Sequence, residues 1–570
     1  MRTYLHIDLK TRSVRKEEQS GETLARAGRY MIAKTLLESG AAKASPLAPA
    51  NPLIFSAGPF AGTNFSNANR LSVGCKSPLT GGVKESNAGG TFAFAMGQLE
   101  ISGITLNDAS DDWVVIYIPK DGEIVFDDAS PYMGKGNMEA AAMLHEKYGD
   151  KTSIALCGPV GEYQGLIAGI AFSDTDNRPS RLAARGGVGA VMGSKKVKAI
   201  VADKHKMPQF HERKKLMMAV KSYGDKIVAD PKAQGLATLG TALAADVTNH
   251  IGALPVNNFS IGSATIDMDP PFPMGGEAIH EQNKARGGDV SHACMPGCQI
   301  KCSNVYVDKK GEEIVSPLEY ETIGLLGTNC GLKDPDDVAY MNYDCNDLGI
   351  DTIEAGALIG VLMEAGDGAF GDVDFMRQVM KDMMDGTERG RELAQGVAIV
   401  GEKRGLKRLP VIKKQALSAY DPRVTEVTAI SMMTTVQGAD HTVGNSPTFP
   451  STEHTVEELV QESYNLQVLC ASNDSLGLCL FGRAVSNANQ QMVIDALNDA
   501  LGTDLPVNFY ADIGRDTLLL ERQFNQDAGF GVEDNELPQF FIDEPLPPTN
   551  KTSRLRADEV TEMMGRLLDQ

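Results

Sequence analysis

The sequence predicts an α+β fold: a β-rich N-terminal domain over residues 1–205, then two mainly α-helical domains, 206–415 and 416–570. Three observations carry that prediction. Up to residue 205, short runs rich in strand-forming residues alternate with glycine-rich turns: Leu5–Leu9, Pro52–Phe55, Trp113–Ile118 and Val197–Val201. After the polar, basic stretch DKHKMPQFHERKK, apolar residues recur at helical spacing in LMMAVKSYGDKIV, DDVAYMNYDCNDLG, DTIEAGALIGVLMEAG and FMRQVMKDMMDG. A second basic, proline-containing stretch, KRGLKRLPVIKKQ, divides the helical part near 415. The tail from Leu537 to Asn550 carries four prolines and cannot be one regular helix, whereas ADEVTEMMGRLLDQ after it reads as a terminal amphipathic helix. No internal repeat is visible in the sequence.

At 42% hydrophobic and 23% charged, the 570 residues are globular rather than disordered or collagenous. Lys and Arg number 54 against 75 Asp and Glu, a net charge of −21 that repels nucleic acid and anionic lipid. No run of about 18 uncharged apolar residues occurs, so no membrane span is expected. The first residues lack an apolar stretch followed by a cleavage site, and a cytoplasmic location is expected. In that compartment nine cysteines point to metal binding rather than to disulfides.

Three of the nine stand close together, as Cys294, Cys298 and Cys302, with Pro296-Gly297 bending the chain between the first two. Three thiolates on such a loop can converge on a zinc ion or on an iron–sulfur cluster, each of which takes a fourth ligand. Spacing leaves zinc, a cluster and unligated burial all open. The candidates for the fourth ligand are Cys75, Cys157, Cys330, Cys345, Cys470 and Cys479.

Cys479 closes the turn Asp474-Ser475-Leu476-Gly477-Leu478-Cys479, and a related turn runs from Asn346 through Gly349 to Asp351. Each offers a carboxylate or amide and backbone N–H groups beside a glycine, a set suited to the hydrogen-bonding edge of a heterocycle. In the N-terminal half, RLSVGCKSPLTGG (70–82) leads into Ser86-Asn87-Ala88-Gly89-Gly90, and ARGGVGAVMGSK follows at 184–195. Glycines clustered with Lys76 and Arg185 can present N–H groups and a cation to phosphate oxygens. There is no GxxxxGK[ST] loop and no strand–GxGxxG–helix unit, which disfavours an ordinary nucleotide.

Glu319 and Glu321 lie in the apolar run IVSPLEYETIGLLG, read as helical. At i and i+2 they face different ways, so only one can serve a given site. A buried carboxylate there could activate water. His441 follows Asp440, and His292, beside Cys294, could hydrogen-bond a cluster sulfur.

Taken together, RLSVGCKSPLTGGVKESNAGG, ARGGVGAVMGSKKVKAI, ACMPGCQIKCSN, EYETIGLLGTNCG, CNDLGIDTIEAG, GADHT and NDSLGLCLF resemble the tungsten-containing aldehyde:ferredoxin oxidoreductase family, in the same order from about residue 2 to 480. The resemblance implies an N-terminal pterin-binding domain of two β-sheets under two helical domains. It also implies a tungsten or molybdenum bis-pterin, one 4Fe-4S cluster, and Mg2+ bridging the pterin phosphates. Cys294, Cys298, Cys302 and Cys479 match the cluster ligands. Asn346, Asp351, Asp474 and Leu478 match positions in the two pterin turns, the first beginning with Asn where the family has Asp. Lys76, Asn87, Gly89, Gly90, Ala183 and Arg185 fall in the pterin and phosphate cradle, with the backbone oxygens of Asn87 and Ala183 candidates for the magnesium. Glu321, or less favoured Glu319, and His441 match the catalytic positions.

The function this implies is oxidation of a small aldehyde to its acid, with electrons passed to a ferredoxin-like carrier or a small iron–sulfur subunit. A homodimer is left open. The alternatives are a reductase of the same family acting on an aromatic thioester, and a zinc-stapled binding protein.

Overall fold

The computed structural model describes residues 1–265 and 272–570. The N-terminal part holds twelve strands, β1 (Arg2–Asp8), β2 (Ser13–Gln19), β3 (Leu53–Ala57), β4 (Leu71–Lys76), β5 (Val83–Ala88), β6 (Ile101–Asn107), β7 (Val114–Ile118), β8 (Val125–Asp128), β9 (Thr152–Cys157), β10 (Ile170–Phe172), β11 (Arg181–Ala183) and β12 (Val197–Asp203). They make two six-stranded sheets, in the orders β2-β1-β6-β3-β4-β5 and β8-β7-β12-β9-β10-β11. In each, one pair is parallel, β1 with β6 and β7 with β12, and the other pairs are antiparallel. The all-buried pattern of β3, β4 and β9 comes from sheet faces covered on both sides.

The second sheet repeats the first, strand for strand, which corrects the expectation of no internal repeat. Matching helices, Gly28–Glu38 and Asn137–Tyr148, precede the third strand of each unit, and Phe92–Gln98 and Val188–Ser194 precede the last. The sequence trace is faint: AGPFAG (57–62) against CGPVGE (157–162), and AGGTFAFAMG (88–97) against ARGGVGAVMG (184–193). Strand and turn burial can be met by many residue types, so topology survives where identity does not. The two units meet at their edge strands β5 and β11, which lie side by side and bring Asn87 and Ala183 to the same seam.

Beyond β12 the described chain is mainly helical, with two small sheets, one of Asp289–His292, Ser303–Val307 and Glu313–Val315 and one of Val411–Ile412 and Gln415–Ala416. The helices Arg213–Ala229, Pro335–Leu348, Thr352–Glu364, Val373–Met384 and Ala557–Leu568 follow the apolar periodicity. The proline-rich tail contains one five-residue helix, Gln539–Asp543. One buried cluster joins residues of both helical parts, from Ala242 to Leu568, and a second, containing Phe60, Tyr223 and Tyr510, surrounds the clustered cysteines. Among the described residues no helix is long and apolar enough to cross a membrane.

Candidate functional site

Cys294, Cys298 and Cys302 sit on the connection between the antiparallel strands Asp289–His292 and Ser303–Val307. Cys479 follows the helix Val456–Ser475 and caps the next short turn. Of the six candidates for a fourth ligand, Cys479 is the one that shares the buried cluster of the other three. Cys298, Cys302 and Cys479 are 5–7% exposed. Burial first, then the nearby Cys294 and Cys479, pushes the Cys302 thiol well above its ordinary range. Cys470 looks instead toward Arg483, Asp474 and Arg29. The first β unit holds both ends of the set: Gly90 N–H donates to the Cys294 carbonyl at 2.9 Å and Cys479 N–H to that of Asn67 at 2.7 Å. Gly89 packs against Cys294 Sγ, so these two glycines act on the cysteine side of the cradle.

The two turns are built alike. Gly349 and Gly477 adopt φ of 73° and 71°, ending their helices in the left-handed region where a side chain is disfavoured. Their backbone N–H groups are consumed in closing the helices: Ile350 donates to Cys345 O at 3.0 Å and Leu478 to Asn473 O at 2.8 Å. Leu478 is fully buried. Contrary to the sequence expectation, the turns therefore offer side chains rather than N–H groups. Asp351 caps the following helix and accepts from Arg185 Nε at 3.3 Å, while Asp474 accepts from Arg29 Nη1 at 3.2 Å. Burial, and next the Glu85 carboxylate, raise the proton affinity of Asp474.

Arg70, which opens β4's segment, was not singled out from the sequence. Its side chain donates to Asn87, to both Oδ1 and, at 3.2 Å, the backbone oxygen. It faces Cys479 and Cys294 on one side and Asp474 and Glu85 on the other. Lys76 is turned to the carbonyls of Ala42 and Ala44, at 2.6 and 2.9 Å.

Arg185 joins the N-terminal cradle to the helical part. It reaches Asp351, the carbonyl of Ala416, the carbonyl of Ala439 at 2.7 Å and Ser418 Oγ at 3.3 Å. Ser418 Oγ lies 2.7 Å from His441 Nδ1, and His441 Nε2 lies 3.2 Å from Glu321 Oε1. Glu321 Oε2 is fixed by the Ala419 N–H at 2.9 Å, whereas Oε1 makes no hydrogen bond of good geometry and is buried. Burial raises the Glu321 proton affinity, opposed by His441. Next door, Asp440 accepts from the fully buried Lys84 Nζ at 2.7 Å. Glu319 points away, 3.9 Å from Arg181 and on the side of Cys302 and Cys479. The helix begins only at Tyr320, because the residues before it form the strand Glu313–Val315 and a proline turn. His292 is held by Asp289 at 3.4 Å, Asp176 at 3.5 Å and Thr175 at 3.3 Å, so its ring nitrogens face acids and a hydroxyl, which corrects the expectation of a sulfur partner.

Several buried polar atoms around this centre make no hydrogen bond to protein: Asn346 Nδ2, both amide atoms of Gln415 and Arg181 Nε. Buried donors and acceptors are nearly always matched, so this mixed set fits a bound group with many hydrogen-bonding edges, as a pterin has.

The N-terminal domain model of aldehyde ferredoxin oxidoreductase matches residues 4–204, and the model of its domains 2 and 3 matches residues 218–568. The tungsten-containing aldehyde ferredoxin oxidoreductase of Pyrococcus furiosus is 32% identical, over 98% of this chain and 94% of its own. That of Thermococcus kodakarensis is also 32% identical, with the same coverage. An aliphatic sulfonate oxidoreductase, WOR-like subunit, of Pyrococcus furiosus is 24% identical over 85% of this chain and 82% of its own. Among solved structures, the active site complex BamBC of benzoyl coenzyme A reductase in complex with 1,5-dienoyl-CoA has a TM-score of 0.83 at 18% identity, over 99% of this chain and 94% of that one, a likeness of fold. With both family models matched along nearly its whole length, the chain belongs to the aldehyde ferredoxin oxidoreductase family, whose members are tungsten-pterin oxidoreductases.

Proposed function

We propose that the protein oxidises a small aldehyde to its carboxylic acid, RCHO + H2O → RCOOH + 2 H+ + 2 e−, and passes the electrons singly to a ferredoxin-like carrier. The observation that carries this reading is the buried Glu321–His441 pair, with one carboxylate oxygen fixed by the Ala419 N–H and the other 3.2 Å from His441 Nε2. A tungsten or molybdenum bis-pterin would be held by Asp351, Asp474, Asn346 and Arg185, with Mg2+ at the backbone oxygens of Asn87 and Ala183. Cys294, Cys298, Cys302 and Cys479 would hold a 4Fe-4S cluster. When bound, the metal–dithiolene centre supplies the two-electron acceptor and the cluster the one-electron exit.

The chain's own residues handle water, substrate and protons. Glu321 Oε1 takes a proton from water or from the aldehyde hydrate, since burial keeps its basicity above that of a solvated carboxylate. His441 Nε2 lies on the same side and can hold the substrate oxygen. The Ala419 N–H keeps Glu321 from swinging away, and Tyr420, its ring 5.4 Å from that of His441, helps to exclude solvent.

The four cysteines share one buried cluster of the fold, and metal analysis separates an iron–sulfur cluster from zinc. The test is anaerobic purification with metal analysis and an aldehyde screen. Iron with tungsten or molybdenum, and aldehyde-dependent dye reduction, are expected. A colourless protein containing zinc alone would remove the reading, and turnover only in the direction of thioester reduction would replace it with the reductase.

A further inference from the structure

We propose that the exposed face of the helix Arg213–Ala229, together with Lys301, is the docking surface for a small acidic iron–sulfur protein that carries one electron at a time. The proposal rests on the cluster reading above.

The helix lies directly over the cysteines. Its buried stripe, Leu216, Tyr223 and Ile227, packs in the same cluster as Cys298, Cys302 and Cys479. Gly224 lies beside Gln299, in the loop between Cys298 and Cys302, and a methyl there would make ordinary contact with its Cγ at 3.9 Å. That loop presents Gln299 and Lys301 to solvent. On the helix, Lys214, Met218, Lys221, Asp225 and Val228 follow one another at i, i+4, i+7, i+11 and i+14, a single exposed stripe that holds two cations and one acid on the face away from the buried one. Met218 is 59% and Val228 55% exposed, among the few large apolar side chains left to solvent, and Phe481, two residues after Cys479, is another at 37%.

The segment is locally basic in an acidic chain. Residues 211–232 carry six Lys and Arg against three acids, in a chain whose net charge is −21. Among the described residues neither Lys214 nor Lys221 makes an ion pair. Two unpaired cations around isolated apolar side chains are the composition of a transient docking site, where charge steers the encounter and a small apolar centre holds it. In the other basic stretch, 403–415, Lys403, Arg404 and Arg408 are paired with acids and Lys413 is buried, and the net negative charge would repel an acidic carrier over much of the remaining surface.

The experiment uses the loaded enzyme and its Lys214→Glu/Lys221→Glu variant with three readouts: reduction of an acidic ferredoxin, reduction of a small neutral dye, and direct binding of oxidised ferredoxin at low and at physiological salt. The expected result is a KM for ferredoxin raised about tenfold or more at low salt, a flattened salt dependence, weakened direct binding and unchanged dye reduction. Ferredoxin KM and binding equal to wild type would overturn the docking surface. Loss of direct binding in the variant, without aldehyde turnover by either protein, would keep the surface and remove the aldehyde reading instead.

Discussion

Gly58 and Gly158 occupy equivalent places, each at the end of the third strand of its β unit and each receiving one helix-ending turn. A methyl on Gly58 would lie 2.4 Å from Leu476 O, and one on Gly158 2.3 Å from Leu348 O. The turns bearing Asp474 and Asp351 are thus seated on matching glycines of the duplicated domain. Since both obstructing atoms are backbone, neither can yield without moving its turn.

Gly58→Ala and Gly158→Ala should therefore each destabilise the protein by about 1–3 kcal/mol, the usual cost of overpacking, and lower its group-6 metal content. Calorimetry and metal analysis check both. Wild-type stability and metal content in the Gly158 variant would show that the turn is free to shift.

Glu321→Gln should lower kcat by about 10²–10⁴ with metal content unchanged, while Glu319→Gln should have little effect, because its carboxylate lies toward Arg181. The pH profile supplies the sign. Glu321 acts ionised and burial raises its proton affinity, so kcat/KM should fall with acidification through a pKa above the ordinary value of about 4.3. That limb should vanish in the Gln variant.

Asp440 and Lys84 form a buried pair at 2.7 Å. Burial alone would raise the Asp440 pKa, but Lys84, Arg185 and His441 hold it far below the usual carboxylate range. A carboxylate with a depressed folded-state pKa adds stability in full above its unfolded value, about 3.9, and loses it as pH falls toward the folded value. Asp440→Asn should cost about 3–5 kcal/mol near neutrality by leaving Lys84 buried and unpaired. The double variant Lys84→Met/Asp440→Asn should be less damaged than Asp440→Asn alone, and equal or greater damage would mean the pair is not the source of the effect.

Cys479→Ser should remove the brown colour and most of the iron, whereas Cys470→Ser should leave both, since Cys470 lies beside Arg483 and Asp474 and outside the cysteine set. Absorption and iron analysis of the two variants decide between them.

Periodicity and turn chemistry are local, and the sequence by itself determined what depends on them: the β-rich half, the long helices, the cysteine loop and the two glycine turns. The same local signals placed Glu319 and Glu321 on one helix, and they mislead there because a proline turn delays the helix to Tyr320. Tertiary structure decided the rest. The duplication of the sheets is nearly erased in residue identity because hydrogen-bonded strand pairing accepts many side chains. Spacing left Cys470 and Cys479 both open as the fourth ligand, and the fold keeps Cys470 inside the helix Val456–Ser475 beside Arg483 and Asp474 while Cys479, just past the end of that helix, joins the buried cluster of Cys298 and Cys302. Arg70, Ser418 and Gln415 gave no local signal, because their roles come from neighbours hundreds of residues away or on other elements. The assignment of Glu321 to His441 rests on the close approach of loops at 321, 418 and 441, and a contact between distant segments is fixed only when the chain has folded around it.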